Sequence, residues 1–340
     1  MLSFSKAEKQ LLLVIREAGR RKATSDRASL ARMANKEFAK HLDWTEAFGS
    51  LSAQGLIQQK DQDYALTEPG QTRADALHAQ HPYWVYVYDA YYAHAQDSAA
   101  HAAFCQRVYG KDLCQHGIAD MTQIRQLVEA LSLKAGSRVL DLGCGNGMIT
   151  EYISDQTQAH LTGIDVSGEG IRQAQERTRH KRERLSFRVG NMDDLGFPTA
   201  SFDAIISIDT LYFGDMEKVI RQAVRPGSRQ AVSLLRPGGQ MGIFYTQWIK
   251  ADDPKEKLEP DKTKLATVLK EHGLDFRTWD FSQDEDDHWQ KKIDALEALR
   301  ADFEAEGNHW LYDFRLHEAL NHVDYWGSKR RSRYLYHIQL

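Results

Sequence analysis

At 340 residues the chain is long for one average domain and short for three, which points to two domains or to one with large additions. Its hydrophobic fraction of 42% can fill a sizeable core. A formal net charge of −4 gives it no global attraction to nucleic acid or to an anionic membrane. Cys105, Cys114 and Cys144 form no CxxC and are odd in number, which argues against a disulfide framework and fits a cytoplasmic protein. The apolar run at 11–15 is far shorter than the ~20 residues a membrane-spanning helix needs, and no small-residue cleavage site follows it.

Residues 1–80 read as a small, mostly helical unit. Ser5 with Glu8 three residues on is a capping-box pattern, and it opens a helix carrying Leu11, Leu12, Ile15 and Ala18. A second helix is expected over about 26–38. Asp43 with Glu46 suggests the start of a third. "DYALTEPGQTRADAL" reads as a short strand, a Pro-Gly turn and a further helix. Three helices followed by a small β element resemble a winged-helix domain. The third helix offers Asp43, Glu46, Ser50, Ser52 and Gln54, with no Arg or Lys before Lys60. That favours a dimerisation or packing module over DNA binding, and a homodimer is expected.

Residues 81–130 are crowded with Tyr and His and are too aromatic for a plain linker. They read as helices that either stitch domains together or form a lid. From Arg138 the pattern changes to α/β alternation. Strands are expected at 138–142, 160–165, 185–189, 204–208 and 240–245, as in a doubly wound parallel sheet. Two more are expected at 274–282 and 332–340, with a charged helical insertion at about 285–327 between them. Arg221-Gln222-Ala223-Val224 recurs at 229–232. This short duplication is expected to be a surface insertion with little catalytic role.

Within the α/β part, "RVLDLGCGNGMIT" puts Asp141 at the end of the first strand, where open sheets of this kind bind ligands. Gly143, Gly145 and Gly147 then make a tight turn into a helix, which lets a ligand approach the backbone and the helix N-terminus. Met148 stands where a dinucleotide fingerprint would have Gly or Ala, so the ligand need not carry a pyrophosphate. Asp165 ends the second strand and can accept hydrogen bonds from a ribose diol. Met192 and Asp193, past the third strand, suit an adenine face and its amino group.

"VLDLGCGNG", "GIDVS", "GNMDDLGFP", "SFDAIISIDTLYF" and "LLRPGGQMGIFY", over about 115–248, resemble class I S-adenosylmethionine (SAM)-dependent methyltransferases in order and spacing. The resemblance implies a Rossmann-like methyltransferase sheet with SAM as cofactor and S-adenosylhomocysteine as product. It places Gly143, Gly145 and Gly147 around the methionine part, with Asp141 on the amino group, directly or through water. It places Asp165 at the ribose and Met192 with Asp193 at the adenine, and Asn146, Val166, Asn191 and Ile208 complete the expected cofactor-binding set. Cys144 reads as a small turn residue. Asp209 and Tyr212, at the end of the fourth strand, would orient the acceptor, and His116 is a candidate base. Trp289, Phe303, Trp310, Tyr312 and Phe314 in the insertion would suit a cationic amine. The expected acceptor is a small molecule, amine before hydroxyl. A nucleic-acid methyltransferase and a SAM-sensing DNA-binding regulator are the alternatives. Against the former, Asp209-Thr210-Leu211-Tyr212 after the fourth strand is no Asn/Asp-Pro-Pro-aromatic motif, and the chain shows no basic patch. No metal-ligand spacing is present.

Overall fold

The computed structural model describes residues 4–38, 44–80, 82–224, 233–323 and 330–340. The chain divides into two compact units, Met1–His94 and Ala95–Leu340. In the first, α1 (Lys6–Arg21), α2 (Arg27–Phe38) and α3 (Trp44–Ala53) precede an antiparallel hairpin of β1 (Ile57–Lys60) and β2 (Asp63–Leu66). Two more helices follow, α4 (Glu68–Gln80) and α5 (Tyr83–Ala95). The capping box forms, with Glu8 N donating to Ser5 Oγ at 3.2 Å and Ser5 N to Glu8 Oε2 at 2.6 Å. Asp43, one of the expected helix starters, lies outside the described residues.

Pro69-Gly70 is not the turn its composition suggested. Both residues lie in the first turn of α4, which Thr67 caps by accepting from Gly70 N at 3.1 Å. Proline is tolerated there because the first helical N–H groups have no intrahelical partner. Gly70 is required by close approach, since a Cβ would lie 1.8 Å from the Leu56 carbonyl oxygen.

The second unit opens with α6 (Ala99–Tyr109) and α7 (Met121–Leu131). Then come β3 (Arg138–Leu142), α8 (Met148–Thr157), β4 (His160–Asp165), α9 (Gly168–Arg177), β5 (Leu185–Val189), β6 (Phe202–Ile208) and α10 (Met216–Ala223). The rest is β7 (Leu235–Trp248), α11 (Lys264–Glu271), β8 (Phe276–Asp280), α12 (Ser282–Ala305), α13 (His309–Asn321) and β9 (Arg331–Gln339). The seven strands lie in the order β5-β4-β3-β6-β7-β9-β8. The first five are parallel, and β9 is antiparallel to both of its neighbours. Alternate strand residues feed two apolar layers. Leu140 and Leu142 of β3 pack with Val219, Ile220, Leu265 and Leu269 on one face. Val139 packs with Ile124, Leu127, Ile153 and Ile171 on the other.

The helical insertion before the last strand is α12 and α13. The Arg-Pro-Gly-Gly segment is a bulge inside β7, where the register against β6 jumps from Phe202↔Leu235 to Ala204↔Gln240. The first Arg-Gln-Ala-Val copy is not a surface insertion. It closes α10, with Ala223 and Val224 buried. Gln222 accepts from Leu195 N at 2.9 Å and donates to the Met192 carbonyl at 3.0 Å, so it braces the loop after β5. The second copy, 229–232, lies outside the described residues. No helix among the described residues is long and apolar enough to cross a membrane.

Candidate active site

β3 sits between β4 and β6, and its carboxyl end delivers buried Asp141 to the crevice where the strand order reverses. The backbone then turns left-handed three times, at Gly143 (φ 76°), Gly145 (φ 57°) and Gly147 (φ 73°). Gly147 has a second reason to be glycine. A Cβ there would meet the Phe187 ring at 2.5 Å. Gly147 also begins α8 without a side-chain cap, so the first-turn N–H groups look to a partner from outside the helix.

Asp141 accepts from Thr150 Oγ1 at 2.6 Å, and among the described residues it has no ion-pair partner. Burial pushes its carboxyl up to about 7, against the Thr150 hydrogen bond and with help from the charge of Asp165. Asp165 closes the turn, its Oδ2 accepting from Gly145 N and its Oδ1 from Ser167 N, each at 2.8 Å. A buried carboxyl without a cation, beside an uncapped helix start, fits a ligand that brings an ammonium and a carboxylate together. The amino-acid part of SAM is such a ligand.

The other expected cofactor residues fall along the same edge. Val166 and Ile208 are half-buried, and Met192 is buried. Asn191 Oδ1 accepts from Asp193 N at 2.9 Å, and Asp193 Oδ1 accepts from Asp215 N at 2.7 Å. That second bond ties the loop after β5 to the start of α10. Asn146 turns toward α9, where its Nδ2 lies 3.5 Å from Gln173 Oε1. Burial, together with Asp165 and Asp141, holds the Cys144 thiol well above its ordinary value, so it stays protonated.

The structure gathers Asp209, Tyr212 and His116 at the neighbouring ends of β6 and β7, but most of their polar atoms are already engaged. Asp209 has φ 59° and is buried. Its carboxylate takes both guanidinium ends of Arg333, Nη1 on Oδ1 and Nη2 on Oδ2, the latter at 3.0 Å. It also accepts from Ile118 N at 2.8 Å and Ala119 N at 3.3 Å. The Tyr212 hydroxyl accepts from Thr246 N at 2.6 Å, and its ring packs on Tyr245 and Trp248. Burial lowers His116 to about 3 despite Glu318, whose Oε1 is 3.8 Å from Nε2, so the ring is neutral near pH 7.

Arg333 was missed in the sequence because it is 124 residues from Asp209 and lies mid-strand in β9, where nothing local marks it. It is fully buried, also donates to Gln123 Oε1 at 2.7 Å and Thr246 Oγ1 at 3.1 Å, and is held charged against burial by Asp209. Glu285 was missed too. It is fully buried in the first turn of α12 and accepts from Thr246 Oγ1 at 2.8 Å. Burial raises its carboxyl to about 7, against the pull of Arg333 and the Thr246 hydroxyl.

Residues 133–300 match the family described as "Methyltransferase domain". The 27-O-demethylrifamycin SV methyltransferase of Amycolatopsis mediterranei is 30% identical over 193 residues, covering 52% of this chain and 68% of that relative. Phosphoethanolamine N-methyltransferase 1 of Zea mays is 28% identical over 227 residues, covering 61% of this chain but only 42% of the relative. Among solved structures, Haemonchus contortus phosphoethanolamine N-methyltransferase 2 in complex with SAM superposes with TM-score 0.60 at 14% identity, over 88% of this chain and 74% of that one. The last likeness speaks for the fold alone. With the family match, the sequence relatives and the strand order in agreement, the chain belongs to the SAM-dependent methyltransferases.

Proposed function

We propose that the protein transfers the methyl group of SAM to a small-molecule nucleophile, an amine in preference to a hydroxyl. The observation that carries this reading is the edge formed by buried Asp209, Thr246 and Glu285 with half-buried Tyr212, covered by α12 and next to the strand end that presents Asp141. When bound, SAM supplies an already activated methyl group, so the protein's task is to position the acceptor and exclude water.

In this reading Asp141, Gly143, Gly145, Asn146 and Gly147 surround the amino-acid part of the cofactor, and the first turn of α8 faces its carboxylate. Asp165 and Val166 serve the ribose, and Asn191, Met192, Asp193 and Ile208 the adenine. Asp209 acts as a positioning residue. Gripped by Arg333, it holds the backbone of 118–119 and with it the loop that carries His116. Tyr212 fixes the end of β7 through Thr246. The neutral His116 ring can accept a proton but holds it weakly. The three helices and hairpin of residues 4–66 support a winged-helix reading of the first unit.

Two of the relatives support a small acceptor: one is named for methylating a demethylrifamycin oxygen, the other for N-methylating phosphoethanolamine. Isotopically labelled SAM should be offered with a panel of primary amines and a panel of phenols, and the products read by mass spectrometry. Label is expected in amines. Turnover of phenols with no amine labelled would reject the amine preference.

A further inference from the structure

α12 carries more chemistry on its inner face than a cover needs. Glu285, His288, Trp289 and Lys292 follow one another at i, i+3, i+4 and i+7, so they share one helix face. All four are buried, Glu285 and Lys292 completely. Seven residues of helix put the ends of this row about 10 Å apart. Glu285 marks the end at β7, bonded to Thr246 and beside Asp209. Lys292 marks the other end. There its Nζ shares one carboxylate, Glu318, with Arg315, at 3.3 Å and 3.2 Å.

Among the described residues, three polar atoms on this face are buried with no hydrogen-bond partner: Glu285 Oε1, His288 Nε2 and Trp289 Nε1. Arg331 Nε lies 3.9 Å from Glu285 Oε1 but is bonded to Asp286 at 2.9 Å. Each such atom forfeits its hydration without a replacement, and native structures leave few of them. Three on one helix face can satisfy one another's needs through a single polar ligand. The Trp289 indole is held in place, stacked on the His322 ring at 3.7 Å with Lys292 Nζ 4.2 Å from its centroid. Burial lowers Lys292 to about 7 despite Glu318, with Arg315 adding to the fall. A ligand anion beside it would restore the full charge.

We propose that this face of α12 binds the methyl acceptor, and that the acceptor is a small amine bearing a phosphate or a carboxylate. The amine N–H groups lie on Glu285, at the end shared with the strand edge. The anionic group lies toward Lys292, and the N–H groups of His288 and Trp289 donate to oxygens between. This rests on the methyltransferase reading above and goes further by naming the acceptor's two charges.

The test is calorimetry on the full chain saturated with S-adenosylhomocysteine, which carries no methyl group to transfer. The probes are phosphoethanolamine, glycine, ethanolamine and inorganic phosphate. Phosphoethanolamine or glycine is expected to bind, which tells phosphate from carboxylate. Ethanolamine and inorganic phosphate, each offering half the ligand, are expected to bind at least about tenfold more weakly. Lys292→Met is expected to weaken the better amine by about tenfold while S-adenosylhomocysteine still binds. Ethanolamine binding as tightly as the better of phosphoethanolamine and glycine, or no heat from any probe on protein that binds S-adenosylhomocysteine, overturns the proposal. The probe comparison on the unaltered chain stands whether or not the variant folds. Failure to bind S-adenosylhomocysteine at all would instead count against the methyltransferase reading.

Discussion

Arg333→Met is expected to destabilise the protein by about 3–5 kcal/mol, because it strips the partner from a buried carboxylate. Arg333 reaches Asp209 from β9, and both are buried. Without the guanidinium, Asp209 keeps, among the described residues, the Ile118 and Ala119 N–H groups against the cost of burying its charge. The loss should extend to activity, since the same carboxylate holds the loop that carries His116. A control separates a stranded charge from lost packing. Asp209→Asn added to Arg333→Met removes the stranded charge and should recover a large part of the lost stability. Urea titrations followed by circular dichroism measure both variants. A loss below about 1 kcal/mol for Arg333→Met would show that the pair does not hold this edge together.

The second large effect is on the pH dependence of cofactor binding, through Asp141. Burial raises its carboxyl to about 7, above the ordinary unfolded value of about 3.9. A folded pKa above the unfolded one means that the group's stability contribution is full below about pH 4 and is lost as pH rises through about 7. A bound ammonium favours the ionised form and reverses that preference. SAM should therefore bind about tenfold more tightly per pH unit as pH rises toward 7, and level off above it. Asp141→Asn has no carboxyl to ionise and should give a nearly flat profile over the same range. Calorimetry at several pH values decides, and equal slopes for the two proteins would remove Asp141 from the amino group.

The parts of this site that were legible in the sequence are those built within one strand-turn-helix unit. The glycines after Asp141 sit in left-handed backbone, and that requirement shows in residue type. Asp165 could be placed from the sequence because it closes a parallel strand, and Met192 and Asp193 because they lie a few residues past one. What was hidden is what the sheet assembles from afar. Asp209 looked available as an orienting group because its partner lies in the last strand and enters antiparallel. Pro69-Gly70 looked like a turn because composition does not show that Leu56 crowds the helix start. Gln222 looked like part of a surface repeat, although its amide braces the loop after β5. The inner face of α12 was there to be found. Glu285, Trp289 and Lys292 are in phase with Leu296, Leu299 and Phe303, the helix's buried stripe. Charged residues in phase with a buried stripe are expensive, and their cost points to function.

The claim on which the rest depends is that SAM lies against the Gly143–Gly147 turn with its sugar on Asp165. Calorimetric titration of SAM and S-adenosylhomocysteine into the unaltered chain and into Asp165→Ala tests it most directly. The unaltered chain should bind one molecule of either, and Asp165→Ala, checked for folding by circular dichroism, should bind about a hundredfold more weakly through the loss of charge-assisted hydrogen bonds. Equal affinity in a folded Asp165→Ala protein, or no heat from either ligand on the unaltered chain, would contradict it.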